Sequence, residues 1–432
     1  MNYPETIEFL YSRLPVFHNI GARAFKPGLK TTLELCESLG NPQNAYPCIH
    51  VGGTNGKGSS SHMIAAILQT AGYKVGLYTS PHLKSFTERI KVNGVDADQE
   101  FIVKFTYDNL SNIDRLEPSF FELTVAMAFS YFAFKQVDVA VIEVGMGGRL
   151  DSTNIISPVL SLITNVSFDH TQFLGDTLAK IAYEKAGIIK ENIPVVISEY
   201  QEEVAHVFVA RAALLNSKLV FGSRETHVLK VEYGNGKMSL SADNLQGEAH
   251  LPVDLELDLT GYYQLKNVCG VLSVIRILNE KGYNISEENV KEALANVVDL
   301  TGLKGRWQKL RENPVVYCDT AHNAAGLSYT ILQFKSISSS RKRFVIGFVG
   351  DKDIRSMLGL FPDDADYYFT QPSNLRALPA DELQSLAGAF GLIGKCYKDV
   401  NAALYAAIAE SEVTDSIYVG GSTFVVADLE EI

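Results

Sequence analysis

Between residues 46 and 198 short apolar runs alternate with glycine-bearing or polar turns and amphipathic stretches, and this alternation narrows the fold more than any other feature. The runs are Cys48-Ile49-His50-Val51, Val75-Gly76-Leu77-Tyr78, and residues 137–144, 159–166 and 194–198. They are continuously apolar rather than alternating. Strands of that kind are buried on both faces, as in a parallel sheet with helices on either side. Between the first two runs Met63, Ile64, Ile67, Leu68 and Ala71 recur at helical spacing, and Gly72 supplies a stop.

The pattern changes from about residue 220 to 259. Residues 228–233, then Gly234-Asn235-Gly236, then residues 237–240 read as a β-hairpin, an antiparallel excursion from the same domain. A helix is predicted over 263–279. A second βα series follows Gly302, with strands at 315–318, 343–349, 367–370 and 417–419. The expected organisation is an N-terminal domain over 1–299 and a C-terminal domain over 300–432. The 432 residues are 46% hydrophobic and 20% charged, which supports two full cores and excludes a disordered chain.

The balance of 38 basic and 50 acidic side chains gives a formal net charge of −12. That opposes a general nucleic-acid or anionic-membrane binder, so no nucleic-acid and no membrane partner is expected. It leaves room for an anionic small molecule in a local basic pocket. Cys36, Cys48, Cys269, Cys318 and Cys396 are odd in number and form no C-x-x-C, which points to reduced thiols and a cytoplasmic protein. The N-terminal residues carry no basic and apolar targeting pattern, and no apolar run approaches the roughly 20 residues of a membrane span.

Gly52-Gly53-Thr54-Asn55-Gly56-Lys57-Gly58-Ser59 follows the first predicted strand and opens the first helix. Phosphate binding needs this setting. Glycines let backbone N–H groups turn toward an anion, and the helix N-terminus adds partial positive charge. Lys57 would neutralise the β- and γ-phosphates, and Ser59 offers a hydroxyl nearby. The spacing departs from the common phosphate loop, because three residues separate Gly52 from Gly56 and Gly58 intervenes before Ser59.

This loop resembles that of the folylpolyglutamate synthase and dihydrofolate synthase family, within the Mur ligase superfamily. Further matching segments follow in order: Thr79-Ser80-Pro81-His82-Leu83, Phe86-Thr87-Glu88-Arg89-Ile90, Phe121-Glu122-Leu123-Thr124 and Glu143-Val144-Gly145-Met146-Gly147-Gly148-Arg149-Leu150-Asp151. Then come Asp169-His170-Thr171, Glu184-Lys185-Ala186-Gly187-Ile188-Ile189, Gly305-Arg306, Asp319-Thr320-Ala321-His322-Asn323 and Gly421-Ser422. The resemblance spans about residues 28 to 428.

It implies an α/β fold: an N-terminal P-loop ATPase-type, mostly parallel sheet with a small antiparallel part, and a smaller Rossmann-like C-terminal domain. It implies a ligase that adds L-glutamate to dihydropteroate and to tetrahydrofolate. ATP first converts the acceptor carboxylate to an acyl phosphate. A carboxylate is a poor electrophile, and phosphorylation gives it a leaving group. The enzyme's share is positioning and charge neutralisation.

Read as residues, Glu143 ends the most apolar strand, where ligands gather in parallel sheets, and one carboxylate beside phosphate oxygens suits Mg²⁺. His170 alone reads as a structural hydrogen-bonder, and Ser80 as a turn residue. The resemblance implies that Ser80, Glu143 and His170 bind Mg²⁺ and that Lys185, once carbamylated, holds a second ion. It further implies a monovalent cation such as K⁺. Read alone, Lys185 complements a helix dipole. The resemblance places Thr54, Asn55, Gly56, Lys57, Gly58 and Ser59 on ATP together with Asn267, Arg306 and Asp319, and it makes Lys57, Lys185, Asp319 and His322 catalytic. It implies that the second domain closes over the nucleotide. The pterin and substrate face maps to Gly28, Leu29, Phe121, Glu122, Thr124, Leu150, Asp151 and Ser152, with Phe120 and Phe121 available to stack on a flat ring. Thr320, Ala324 and the Lys26-Pro27 pair ahead of Gly28 depart from the family pattern.

Other readings compete. A folylpolyglutamate synthase without dihydrofolate synthase activity is one, and a non-enzymatic P-loop nucleotide-binding module is another. A switch GTPase would carry N-K-x-D and a Rossmann dehydrogenase G-x-G-x-x-G, and neither occurs. A cell-wall precursor ligase would need an added N-terminal domain ahead of the first strand. A monomer is expected.

Overall fold

The computed structural model describes residues 1–16, 28–244, 253–350 and 352–432. Lys26 and Pro27 lie outside these. Among the described residues, those up to 260 together with 264–303 form one compact unit, and 261–263 together with those from 304 onward form another.

The first unit is built on an eight-stranded sheet of β1 (Cys48–Gly52), β2 (Val75–Tyr78), β3 (Ile90–Val92), β4 (Val95–Asp96), β5 (Val139–Glu143), β6 (Leu160–Ile163), β7 (Val195–Ile197) and β8 (Leu219–Phe221). The spatial order is β4-β3-β2-β5-β1-β6-β7-β8. The pairs from β2 through β8 are parallel, and β3 and β4 run antiparallel at one edge. All five residues of β1 are buried. Ile49 and Val51 enter one apolar cluster, while Cys48 enters another on the opposite face. Both faces are therefore covered, as the continuous apolar runs predict. The chain leaves β1 toward β2 on one side and leaves β5 toward β6 on the other. The carboxyl ends of β5, β1 and β6 thus form a switch point, the usual place for a ligand in such sheets.

Helix α1 (Lys57–Thr70) packs Met63, Ile64, Ile67 and Leu68 into the first cluster with Ile49 and Val51. Helix α2 (Phe120–Lys135) covers the other face. Its start is fixed by a capping box in which Ser119 and Glu122 satisfy each other's backbone N–H. Helices α3 (Leu178–Ala186) and α4 (Gln264–Glu280) complete the setting of the site. The predicted hairpin is present. β9 (Thr226–Gly234) and β10 (Lys237–Asn244) join through Asn235 and Gly236, and β11 (Val253–Leu257) adds a third antiparallel strand.

The second unit is a six-stranded sheet of β12 (Gln308–Glu312), β13 (Val315–Cys318), β14 (Lys342–Ile346), β15 (Asp366–Phe369), β16 (Gly394–Cys396) and β17 (Ser416–Gly420), in the order β12-β13-β17-β14-β15-β16. All pairs are parallel except β12 with β13. An aromatic core of Trp307, Phe334, Phe344, Tyr367, Phe369 and Tyr418 lies under it. Helix α5 (Ala324–Ser336) begins at an Asn323 cap.

The division falls at 303/304 rather than the expected 299/300. Residues 300–303 belong to the first unit because Gln69 donates to the Leu300 carbonyl, Thr301 meets His62 at 2.8 Å, and Leu303 joins the first core.

Candidate active site

The turn after β1 is bent by two glycines in the left-handed region. Gly53 has φ +137° and Gly56 φ +86°. Neither can carry a side chain. A Cβ on Gly53 would lie 1.8 Å from Thr164 Oγ1, and one on Gly56 would lie 2.2 Å from Asn267 Oδ1. Residues just past β6 brace the turn from one side. Asn165 accepts from the Thr54 N–H through its carbonyl (2.9 Å) and from the Asn55 N–H through its side chain (3.0 Å). Thr164 Oγ1 donates to the Asn55 carbonyl at 2.6 Å. The Ser167 N–H donates to Thr54 Oγ1 at 3.0 Å.

Helix α4 braces the other side. Gln264 Nε2 donates to Ser59 Oγ at 3.1 Å, and Asn267 Nδ2 donates to Gln264 Oε1 at 2.8 Å. Asn267, expected on the nucleotide, is buried against Gly56 and so shapes the phosphate turn itself. Thr164, Asn165 and Gln264 escaped sequence reasoning. The signal available was a polar pair directly after the apolar run 159–163, at the strand end where ligands gather.

Two lysines meet one carbonyl. Lys57 Nζ lies 3.2 Å from the Gly53 oxygen and 3.1 Å from that of Thr54. Lys185, buried in the last turn of α3, donates to the same Gly53 oxygen at 2.8 Å. Burial, and then the charge of Lys57, push the Lys185 amine down to about 7. The depressed pKa required for carbamylation is thus produced by the fold.

Glu143 ends β5 and is buried, and one of its oxygens accepts the Ser80 N–H at 2.8 Å. The structure therefore brings Ser80 and Glu143 together. His170 stands before a short helical turn, with φ +50° and its N–H bonded to Asp169 at 2.8 Å. Among the described residues no three His, Cys, Asp or Glu side chains converge as a metal cage. The Glu143 carboxylate and a serine hydroxyl are hard oxygen donors. They fit an ion that keeps phosphate oxygens and waters as its other ligands, as Mg²⁺ does.

The expected substrate face divides in two. Gly28 is left-handed at φ +123° with open space where a Cβ would point, and Leu29 precedes the helix Lys30–Ser38. The Phe121 ring lies on Gly145, where a Cβ would meet Cζ at 2.4 Å, and 6.2 Å from the Tyr78 ring. Phe120 is buried and stacks on Tyr11 at 5.0 Å. Glu122 and Thr124 are engaged within α2: Glu122 accepts the Ser119 N–H at 2.7 Å, and Thr124 donates to the Phe120 carbonyl at 2.6 Å. Asp151 is buried and caps the turn Ser152–Ile155. It accepts from the Met146 N–H (2.8 Å) and from the N–H (3.0 Å) and hydroxyl (2.5 Å) of Thr153. Burial raises its pKa against these bonds. Leu150 is half-buried, and Ser152 is buried.

In the second unit Asp319 follows β13 and is buried. Its carboxylate accepts from the Tyr263 hydroxyl (2.6 Å), the Trp307 N–H (2.7 Å) and the Ala321 N–H (2.8 Å). Burial raises its pKa, opposed by the Tyr263 bond and the Arg306 charge. Tyr263 is a further residue the sequence reading missed. Arg306 donates to the Thr320 hydroxyl and to the Gly305 carbonyl, so the residue that departs from the family pattern holds the guanidinium. The His322 Nδ1–H donates to the Thr320 carbonyl at 3.0 Å, because a carbonyl can only accept.

A glycine turn held open at a sheet switch point, a lysine on it and a buried lysine of lowered pKa beneath it are the equipment of a phosphate-activating site. Residues 51–275 match the Mur ligase middle domain, and residues 305–423 match the Mur ligase, glutamate ligase domain. The chain is a ligase of the Mur class. The folylpolyglutamate synthase of Lacticaseibacillus casei is 34% identical over 396 residues, 89% of either chain. Mycobacterium tuberculosis folylpolyglutamate synthase complexed with ADP matches at a TM-score of 0.87 and 29% identity, over 99% of this chain and 96% of that one. E. coli FolC in complex with DHPP and ADP matches at 0.83 and 28%, over the same shares. The chain belongs to the dihydrofolate synthase/folylpolyglutamate synthase family. No described helix is long and apolar enough to cross a membrane.

Proposed function

We propose that this protein is an ATP-dependent ligase that joins L-glutamate to dihydropteroate, giving dihydrofolate, and to tetrahydrofolates, giving folylpolyglutamates. The observation that carries the reading is the convergence of Lys57 and Lys185 on the Gly53 carbonyl at the braced turn.

A carboxylate oxygen of the acceptor attacks the γ-phosphorus of ATP, and ADP departs. The amine of L-glutamate then adds to the acyl carbon, the tetrahedral intermediate loses its proton, and inorganic phosphate leaves. The backbone of Gly56, Gly58 and Ser59 cradles the phosphates, Thr54 and Asn55, whose N–H groups Asn165 holds, line the same turn on the nucleotide, and Lys57 moves from its carbonyls onto the phosphates. Asn267 serves the nucleotide and keeps the turn in shape. Arg306 and Asp319 serve the nucleotide, and His322 serves the reacting group.

Lys185 in its neutral form adds CO₂ and releases a proton, giving a carbamate. Ser80, Glu143, His170 and that carbamate would hold one or two Mg²⁺ ions, which when bound neutralise phosphate charge. A monovalent cation such as K⁺ is a further expected activator. Gly28, Leu29, Phe121, Glu122, Thr124, Leu150, Asp151 and Ser152 form the pterin and folate face, and the local bonds of Glu122, Thr124 and Asp151 hold its backbone in place. The five free thiols suit the cytoplasm, and a monomer carries every residue this reading uses.

The test is phosphate and ADP release with ATP, L-glutamate and either dihydropteroate or tetrahydrofolate. Release with both acceptors is expected. Release with tetrahydrofolate alone reduces the function to folylpolyglutamate synthase. Release with neither leaves a nucleotide-binding module.

A further inference from the structure

His50 has no part in the chemistry above, yet it sits at the centre of β1, fully buried on the strand that feeds the phosphate turn. Its side chain leaves the sheet on the face opposite Ile49 and Val51. Its Nε2 lies 2.9 Å from Thr153 Oγ1. That hydroxyl lies 2.5 Å from Asp151 Oδ1, and the Thr153 N–H reaches the same oxygen at 3.0 Å. The other Asp151 oxygen takes the Met146 N–H at 2.8 Å. All three side chains are buried.

The directions of these bonds follow from chemistry. A hydroxyl has one hydrogen, and an ionised carboxylate accepts only. With Asp151 ionised, the form its bonds from the Met146 and Thr153 N–H groups favour, Thr153 gives its hydrogen to Asp151 and accepts from His50. That fixes His50 with its proton on Nε2, and Nδ1 has no partner among the described residues. Burial, and then the charge of Lys190, press the imidazole down to about 3. The ring is neutral at working pH, so its donor role does not switch off.

The chain His50→Thr153→Asp151←Met146 thus ties β1 to residues 146–153, which lead on from Glu143. The β1–β5 ladder and the Val144 N–H on the Val51 carbonyl (2.9 Å) fix where the segment starts, and the Arg149 N–H on the Glu184 carbonyl (2.8 Å) ties it to α3; neither reaches the Asp151 carboxylate from β1. The bond from His50 is the one in this chain that comes from β1.

We propose that His50 is a positioning residue for the acceptor substrate: through Thr153 it sets the Asp151 carboxylate, and with it Leu150 and Ser152, at a fixed offset from the phosphate turn. This rests on the reading of Leu150, Asp151 and Ser152 as part of the pterin and folate face.

The test measures KM for tetrahydrofolate, KM for ATP, kcat and thermal midpoint in His50→Leu, His50→Gln, Thr153→Val and Asp151→Asn. Loss of one buried hydrogen bond is worth about a five- to tenfold change. His50→Leu and Thr153→Val are expected to raise the tetrahydrofolate KM by about that factor while the ATP KM stays within about twofold. His50→Gln, which keeps a donor, restores most of the loss. General damage to the fold would instead lower the midpoint and the active fraction and spare the ratio of the two KM values.

If His50→Leu does not fold, Thr153→Val decides. An unchanged tetrahydrofolate KM in the folded variants, with a raised KM in Asp151→Asn, overturns the role of His50 alone. An unchanged KM in Asp151→Asn as well overturns the substrate face beneath it.

Discussion

The side-chain nitrogen of Lys185 lies 2.8 Å from the carbonyl oxygen of Gly53, although 132 residues separate them in the chain. A long side chain from the end of α3 thus touches the first residue of the phosphate turn, in surroundings that expel its charge. Its pKa stands near 7 in place of the ordinary 10.5. The folded protein then binds fewer protons here than the unfolded chain between about pH 7 and 10.5, so this lysine makes stability rise with pH across that window. Below pH 7 the buried cation destabilises in full. Enzyme depleted of CO₂ is expected to recover activity with bicarbonate at pH 8 and far less at pH 6, with a mass gain of one CO₂ at Lys185. Equal recovery at both pH values, or no such gain, counts against carbamylation.

Lys57 rests on two carbonyls that water can also serve, so its removal leaves little unsatisfied. Lys57→Ala is expected to keep the thermal midpoint within a few degrees and to cut kcat by about a hundredfold or more, the size of a lost preorganised charge at a phosphoryl centre. Near-normal turnover would show that Lys57 does not reach the phosphates.

Gly53→Ala places a methyl against Thr164 at a left-handed φ. A cost of about 1–3 kcal/mol in denaturant unfolding is expected, with loss of ATP-analogue binding. Gly388→Ala, where a Cβ meets nothing within 4 Å, is the matched control and should be near neutral. Equal behaviour of the two variants would contradict the geometry of the turn.

Asp258 accepts the Val298 N–H at 2.7 Å, and burial, with Asp299 nearby, raises its pKa to about 6. Here the folded state binds more protons than the unfolded state between about pH 4 and 6. Stability from this group is therefore greatest at the acid end and falls as pH rises through that window. Asp258→Asn keeps an acceptor and removes the titration. Its denaturant midpoint relative to wild type is expected to climb from pH 4 to 6 and then level off. A difference independent of pH would refute the assignment.

Residues close in sequence determined much of this protein. Ile49, Val51 and their equivalents in β5 and β6 announce strands buried on both faces, and the glycines from 52 to 58 announce an anion-binding turn. Backbone geometry and burial act there over a few residues, so a local string carries them. The polar edge strands β12 and β16 and the pairings across the chain are not legible in that way. Lys185 reads locally as a helix-end cation, and Asn267 as a polar residue on a helix. Only folding places one under Gly53 and the other against Gly56, and only folding removes water from Lys185, His50 and Asp319. Desolvation and hydrogen-bond direction depend on what is packed around a group. The tertiary structure therefore decided which lysine can lose its proton near neutrality and which polar side chains brace the turn.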